Sequence, residues 1–195
     1  MILPIVAYGT TVLKQKALPI SKDYNNINTL IDNMWDTMYA ASGVGLAAPQ
    51  IGLSIRLFIV DTTPFANSEN LSDTEIAFLE GFKRVFINPT ITKETGMTWD
   101  FNEGCLSIPD IREDVSRKPK IEIEFLDEYF EKQKLSLEGL AARVVQHEYD
   151  HIEGVLFTDY LSPLKKRHIK GKLSAILKGK CDVDYPMRFP TKIKR

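Results

Sequence analysis

Three side chains within one short stretch are of types that can do metal chemistry. Residues 146–151 read QHEYDH, with His147 and His151 four apart and Glu148 beside the first. On a helix, positions four apart lie on one face, one turn from each other, so both imidazoles can reach one ion. Glu148 is rotated by about 100° from His147 on such a helix. That suits a carboxylate working beside the ion on a water molecule instead of taking a coordination position. The alternative is a helix that carries these residues by coincidence. Against it, two of the chain's three histidines fall in the motif. Leu140 and Val144 continue the same face inward, where unpaired histidines would be costly.

Two histidines need a further protein ligand to fix an ion. Zinc peptidases with H-E-x-x-H take it from an acid well downstream, or from a last histidine in H-E-x-x-H-x-x-G-x-x-H. Here no Asp or Glu lies between Asp159 and Asp182, and Phe157 occupies the position of that last histidine. His168 sits in the basic stretch LKKRHIKGK and reads as a surface residue. Upstream, NEGCLSIPD (102–110) offers Cys105 as the best remaining soft donor. A lone cysteine is more often a small buried apolar residue. Cys181 is the competitor, close to the C-terminal end, where order is least assured. A Cys/His/His set suits zinc by geometry and also admits Fe(II).

These residues need a scaffold. A chain of 195 residues suffices for one domain with a sizeable core. Hydrophobic and charged shares of 44% and 26% are those of an ordinary globular protein, and a formal net charge of −1 gives no global field favouring nucleic acid. No apolar run is long enough for a bilayer, so no membrane partner is expected. The start, MILPIVAYGT, lacks a basic region and is broken at Pro4 and Gly9, unlike a signal peptide. Together with only two cysteines, this points to the cytoplasm, where thiols stay reduced and free to bind a metal.

Helical spacing of Ile27, Leu30, Ile31, Met34 and Met38 predicts a helix over 26–41, capped by Asn25 or Asn26. Strands are expected at 55–61, at 84–89 with Pro89 as a stop, at 97–101, and as a hairpin of 120–127 with 130–137. Residues 62–82 read as a loop with a short helical piece. Residues 137–151 read as the metal-binding helix, and the basic tail as helical to about 178. The fold class is α+β: antiparallel strands wrapped around a central helix carrying H-E-x-x-H, with an N-terminal and a C-terminal helix. One domain over 1–195 is expected, with a basic extension from about 163.

Three separate segments together resemble the peptide deformylase family: GVGLAAPQ (43–50), EGCLS (103–107) and QHEYDH (146–151). The opening ILPIVAYGTTVLKQKA is also similar to the family's start, and the resemblance covers roughly residues 2–165. The 62–82 insert and the tail after 165 depart from it. The resemblance implies that Cys105, His147 and His151 hold one divalent metal ion. Fe(II) is then the physiological ion, with Zn(II) or other divalent ions able to substitute. It implies Glu148 as general base and acid, and Gln50 with the Leu106 backbone N–H as oxyanion donors. The substrate implied is the N-formylmethionyl end of nascent polypeptides in a bacterial cytoplasm. Without the resemblance, Gln50 reads as an ordinary loop amide.

Gly43 and Gly45 would let a peptide backbone approach closely, although turn chemistry alone explains them nearly as well. The methionine side chain calls for an apolar pocket, with Val44, Leu106, Leu140 and His147 as walls. Arg112 and Arg143 are expected at its edge, stems packed and charges outward. Residues 163–180 carry seven Lys or Arg and no acid. They read as a solvated helix face or, given the substrate, as a contact to ribosomal RNA. Their apolar face is Leu164, Ile169, Leu173 and Ile176. A general H-E-x-x-H metallopeptidase and a domain with a structural metal are the alternatives.

Overall fold

The computed structural model describes residues 1–68 and 71–190. The expected 62–82 loop and the 1–195 domain therefore each include residues outside the described ones. Among the described residues, helices α1 (Ile27–Ala40), α2 (Asp73–Gly81), α3 (Gly139–Ile152) and α4 (Pro163–Leu177) are joined by nine strands. A five-stranded antiparallel sheet is ordered β2 (Gly45–Ala47), β3 (Leu57–Asp61), β4 (Lys83–Thr95), β7 (Lys120–Leu126) and β8 (Lys132–Glu138). A separate antiparallel hairpin pairs β5 (Trp99–Cys105) with β6 (Ile108–Arg117). Strands β1 (Ile5–Val6) and β9 (Met187–Arg188) pair in parallel, an exception to the antiparallel expectation.

The LFIVD run of β3 shows why this sheet is buried on both faces. Successive strand side chains point to opposite sides. Phe58 and Val60 face Ala141, Ala142, Val144, Val145 and Ile152 of α3 and its flank. Leu57 and Ile59 face Ile31, Met34 and Met38 of α1. Phe86 stacks on Phe58 at 4.7 Å and meets Phe125 at 4.3 Å, completing the layer under α3. A third cluster joins β6 to α4 through Ile108, Ile111, Val115, Ile169 and Ile176.

Pro89 does not stop its strand. β4 continues to Thr95, with a register irregularity between Ile87 and Thr90. Asn88 takes a left-handed φ of 50°, so the proline, which cannot donate to the ladder, sits in a bulge. Leu137 belongs to β8, opposite Ile121, and not to the metal-binding helix. Gly139 supplies the break between strand and helix with a φ of 59°. Asn26 is the first cap of α1, but it adopts φ 57° and makes no side-chain cap bond. Within the expected loop, Ser72 caps α2 by accepting from the Glu75 N–H. The strand over 108–117 has no counterpart in the sequence reading. Leu164, placed by the sequence on the apolar face of the tail, is 67% exposed.

Candidate metal centre

Cys105 ends β5, and a two-residue loop, Leu106 and Ser107, returns the chain to Ile108 of β6. Across from it, α3 presents His147 and His151, their rings edge to face at 5.1 Å. The Cys105 Sγ lies 3.3 Å from His151 Nε2. One donor atom from each of the three residues falls within 4.8 Å of the others. A tetrahedral ion with bonds of about 2.0–2.3 Å spaces its donors roughly 3.3–3.8 Å apart. The three residues therefore fit a divalent ion and leave one position for a water or substrate atom. Cys181 packs against the same apolar cluster as Cys105 but is not one of the three converging donors.

The His147 ring is held from behind. Its Nδ1 lies 2.9 Å from Glu103 Oε2. Arg117 binds the same carboxylate through Nε at 2.7 Å and Nη2 at 3.0 Å, and Arg143 adds Nη1 at 2.9 Å. Arg117 also donates to Asp150 at 2.7 Å, and the Tyr160 hydroxyl donates to Asp150 at 3.0 Å. Burial alone would raise the Glu103 carboxyl. The hydrogen bonds from His147 and Arg117 outweigh it and hold the group well below the carboxylate range. A permanent carboxylate behind a ligating histidine fixes the tautomer and increases the basicity of the ligand.

On the cleft side, Gln50 is 1% exposed and locked by its own loop. Its Oε1 accepts the Ala47 N–H at 2.8 Å, which turns Nε2 toward the Cys105 sulfur at 3.5 Å. Glu148 is buried, and its Oε2 has no hydrogen-bond partner among the described residues. Burial pushes this carboxyl up to about 7, against the opposing charge of His147. Gly45 makes room for it: a Cβ there would stand 2.4 Å from Glu148 Oε1. The close approach at Gly45 is thus to the chain's own Glu148 carboxylate. At Gly43 a Cβ would meet Leu106 Cδ1 at 2.9 Å.

A cleft of about 570 Å³ joins these groups, lined by Gly43, Val44, Leu106, Arg112, Val144 and His147 among others. Leu140 is not part of its wall. It lies in the first turn of α3, next to β8, and packs into the sheet-facing cluster, while Val144 one turn on takes the wall position. Arg112 lines the cleft and donates to the Asn102 side-chain oxygen and carbonyl. Arg143 also lines the cleft, but its charge does not point outward. It is 2% exposed and turns its charge inward to Glu103 and the Val115 and Trp99 carbonyls, with its guanidinium 4.5 Å from the Trp99 ring centre. Sequence reading gave no role to Glu103, Arg117, Val183 or Tyr185. The last two line the cleft from the C-terminal segment. Their signal was present as apolar–polar alternation in CDVDYPMRF (181–189), interrupted only by Pro186.

The family model for polypeptide deformylase matches residues 2–167. This chain belongs to the polypeptide deformylase family. A peptide deformylase of Christiangramia forsetii is 62% identical over 190 residues, covering 97% of each chain. That of Flavobacterium psychrophilum is 57% identical over 192 residues, covering 98% of this chain and 99% of the relative. Among solved structures, a deformylase from Legionella pneumophila superposes with a TM-score of 0.77 at 36% identity, over 93% of this chain and 100% of that one. Peptide deformylase 1B of Arabidopsis thaliana, solved with an inhibitor, gives 0.78 at 36% identity over 91% of each chain. The family's reaction is hydrolytic removal of the N-formyl group from nascent polypeptides, and it is the activity of this chain. Its divalent metal is a property of the family that the Cys105, His147 and His151 cluster accommodates.

Proposed function

We propose that Cys105, His147 and His151 hold the ion, that Glu148 moves the proton, and that Gln50 and the Leu106 N–H receive the oxyanion. The observation that carries this reading is the convergence of one thiol and two imidazoles beside a buried carboxyl without a partner. When bound, a divalent ion supplies Lewis acidity that makes water nucleophilic near neutral pH. Glu148 takes a proton from the attacking water and returns it to the leaving nitrogen. A carboxyl raised to about 7 is matched to both halves of that transfer. Gln50 Nε2 is aimed before substrate arrives, because Ala47 already occupies its oxygen. Among the described residues, the Leu106 N–H donates no turn hydrogen bond, so it too is available as an oxyanion donor.

The substrate backbone lies along β2, one of the two edge strands of the five-stranded sheet among the described residues. Val44 and Val144 receive the methionine side chain, and Arg112 borders the entrance. We read α3 as the helix on which the fold closes, with the large sheet on one side and the β5–β6 hairpin tied to it through Arg143 on the other. One domain spans the chain, with α4 beginning the extension at 163. Fe(II) is the physiological ion, with Zn(II) or another divalent ion as substitute, since a thiolate and two imidazoles suit both. Nascent chains as substrate place the enzyme in the bacterial cytoplasm.

The exposed Arg167 and Lys170 of α4 give this helix a basic outer face for ribosomal RNA. Neutralising Lys165, Lys166, Arg167 and Lys170 should reduce co-sedimentation with ribosomes at low salt and leave hydrolysis of a short formyl peptide intact. Unchanged co-sedimentation would reject the contact. The chemistry itself is tested by substrate choice. Formyl-Met-Ala-Ser should be cleaved and acetyl-Met-Ala-Ser far more slowly, because the extra methyl must fit among Gly45, Gln50 and Cys105. Equal kcat/KM for the two peptides would contradict the reading.

A further inference from the structure

The segment after α4 returns across the molecule to the cleft. From 181 to 188 its residues alternate, with Cys181, Val183, Tyr185 and Met187 half-buried and Asp182, Asp184, Pro186 and Arg188 exposed. Val183 and Tyr185 line the cleft. The Tyr185 hydroxyl donates to the Leu106 carbonyl at 2.9 Å. Its ring packs against the cluster that also holds Leu106 and Met38. The next carbonyl, of Ser107, accepts the Tyr8 N–H at 2.8 Å. Tyr8 closely follows β1, and β1 is itself held by this segment: Ile5 and Ala7 donate to the Pro186 and Arg188 carbonyls, each at 2.9 Å. Both carbonyls of the two-residue loop after Cys105 are therefore tied to one layer, built from β1 and the C-terminal segment. That segment lies beyond the residues matched by the family model, which end at 167.

We propose that Tyr185 is a positioning residue for the reaction: its hydroxyl fixes the Leu106–Ser107 peptide, and through the Leu106 torsions restrains the preceding Cys105–Leu106 peptide, whose N–H serves the cleft. The inference rests on the assignment of that N–H as an oxyanion donor. A loop of two residues has few torsions. Anchoring both carbonyls leaves the Leu106 N–H little freedom to swing, whereas releasing one lets it rotate away. Phenylalanine at 185 keeps the ring packing and removes only the anchor. Burial, with the nearby Cys105 and Cys181, raises the Tyr185 phenol above its ordinary range, so the hydroxyl stays a donor through neutral pH.

The test is Tyr185→Phe in the full-length, metal-loaded protein, read by kinetics on formyl-Met-Ala-Ser and by the NMR order parameter of the Leu106 N–H. A misplaced donor predicts a fall in kcat of about tenfold with KM within about twofold, because a shift near 1 Å can cost up to 10²-fold. The Leu106 order parameter should drop from about 0.85 toward 0.6 or below, while amides of β3 stay rigid. Metal content should not change. Ending the chain at Lys180 should lower kcat at least as far and raise KM as well, since Val183 is then also lost. A Tyr185→Phe enzyme with kcat within twofold of wild type overturns the proposal, as does an unchanged Leu106 order parameter. Absence of formyl-peptide hydrolysis in the wild type would defeat the functional reading instead, and the order parameter would still decide whether Tyr185 holds the loop.

Discussion

The charges behind α3 and the charges along α4 obey different rules. Behind α3, Glu103, Arg117 and Arg143 are buried and bonded to partners at 2.7–3.0 Å, with the Arg143 Nε left without a partner among the described residues. Along α4, Lys165 meets Glu113 at 3.2 Å, while Lys166 and Lys172 reach only backbone carbonyls of Asp159 and Asp110, at 2.8 and 3.4 Å, from exposed positions. Water competes for every one of the α4 contacts and screens them. Inside, water is excluded, so a lost partner leaves an uncompensated charge. The buried group sets where the His147 ring points; the exposed group sets at most a field. Placement is specified residue by residue in the first region and only as a sum in the second.

The largest break in that contrast should come from Glu103→Ala. It leaves Arg143 buried with carbonyl partners only, and removing one member of a buried ion pair costs about 3–5 kcal/mol. Denaturant unfolding of the metal-free protein should show a loss in that range. Metal affinity measured by competition with a chelator should fall about 10–100-fold, as outer-shell losses do. A loss under 1 kcal/mol with unchanged affinity would mean that the cluster is not what orients His147. Next in size is Gln50→Ala, which removes a prepared donor. The expected loss in kcat/KM is about 2.7–4 kcal/mol of transition-state stabilisation, with a smaller loss of about 1–2 kcal/mol in unfolding free energy because the buried Ala47 N–H loses its acceptor. A fall in stability matching the fall in rate would shift Gln50 from chemistry to structure. The smallest effect is on α4. Lys165→Ala should change stability by less than about 1 kcal/mol, and less again at high salt. A larger change would erase the distinction between the two regions.

The same contrast explains what could be read before the fold was seen. The two histidines and Glu148 were legible because their relation is local: a helix alone puts residues four apart side by side. Cys105 followed from the lack of any other suitable donor, together with the resemblance of its segment. Glu103 lay in view two residues earlier, but its role depends on Arg117 from β6 and Arg143 from α3, and no spacing encodes that meeting. Arg143 misled for the same reason: a long charged side chain near a cleft reads as a rim residue unless a buried carboxylate waits for it. Leu140 was placed one turn too far along the pocket because the helix start at Gly139 was not located. Pro89 reads as a stop in the sequence because a bulge at Asn88 has no periodic signature. The α4 helix, whose cap at Ser162 and lack of β-branched runs are local, was found to within a residue or so. The C-terminal strap was legible from its alternation and was missed because the basic run before it drew the interpretation.

The central claim is a division of labour on α3: His147 and His151 hold the ion with Cys105, and Glu148 moves the proton without holding anything. Glu148→Gln keeps size and polarity while removing the base, so one preparation tests both halves. Metal per chain by elemental analysis should equal that of the wild type, and turnover of formyl-Met-Ala-Ser should fall by about 10²-fold or more. Turnover within a few-fold of wild type, or loss of the metal along with the activity, would contradict the account.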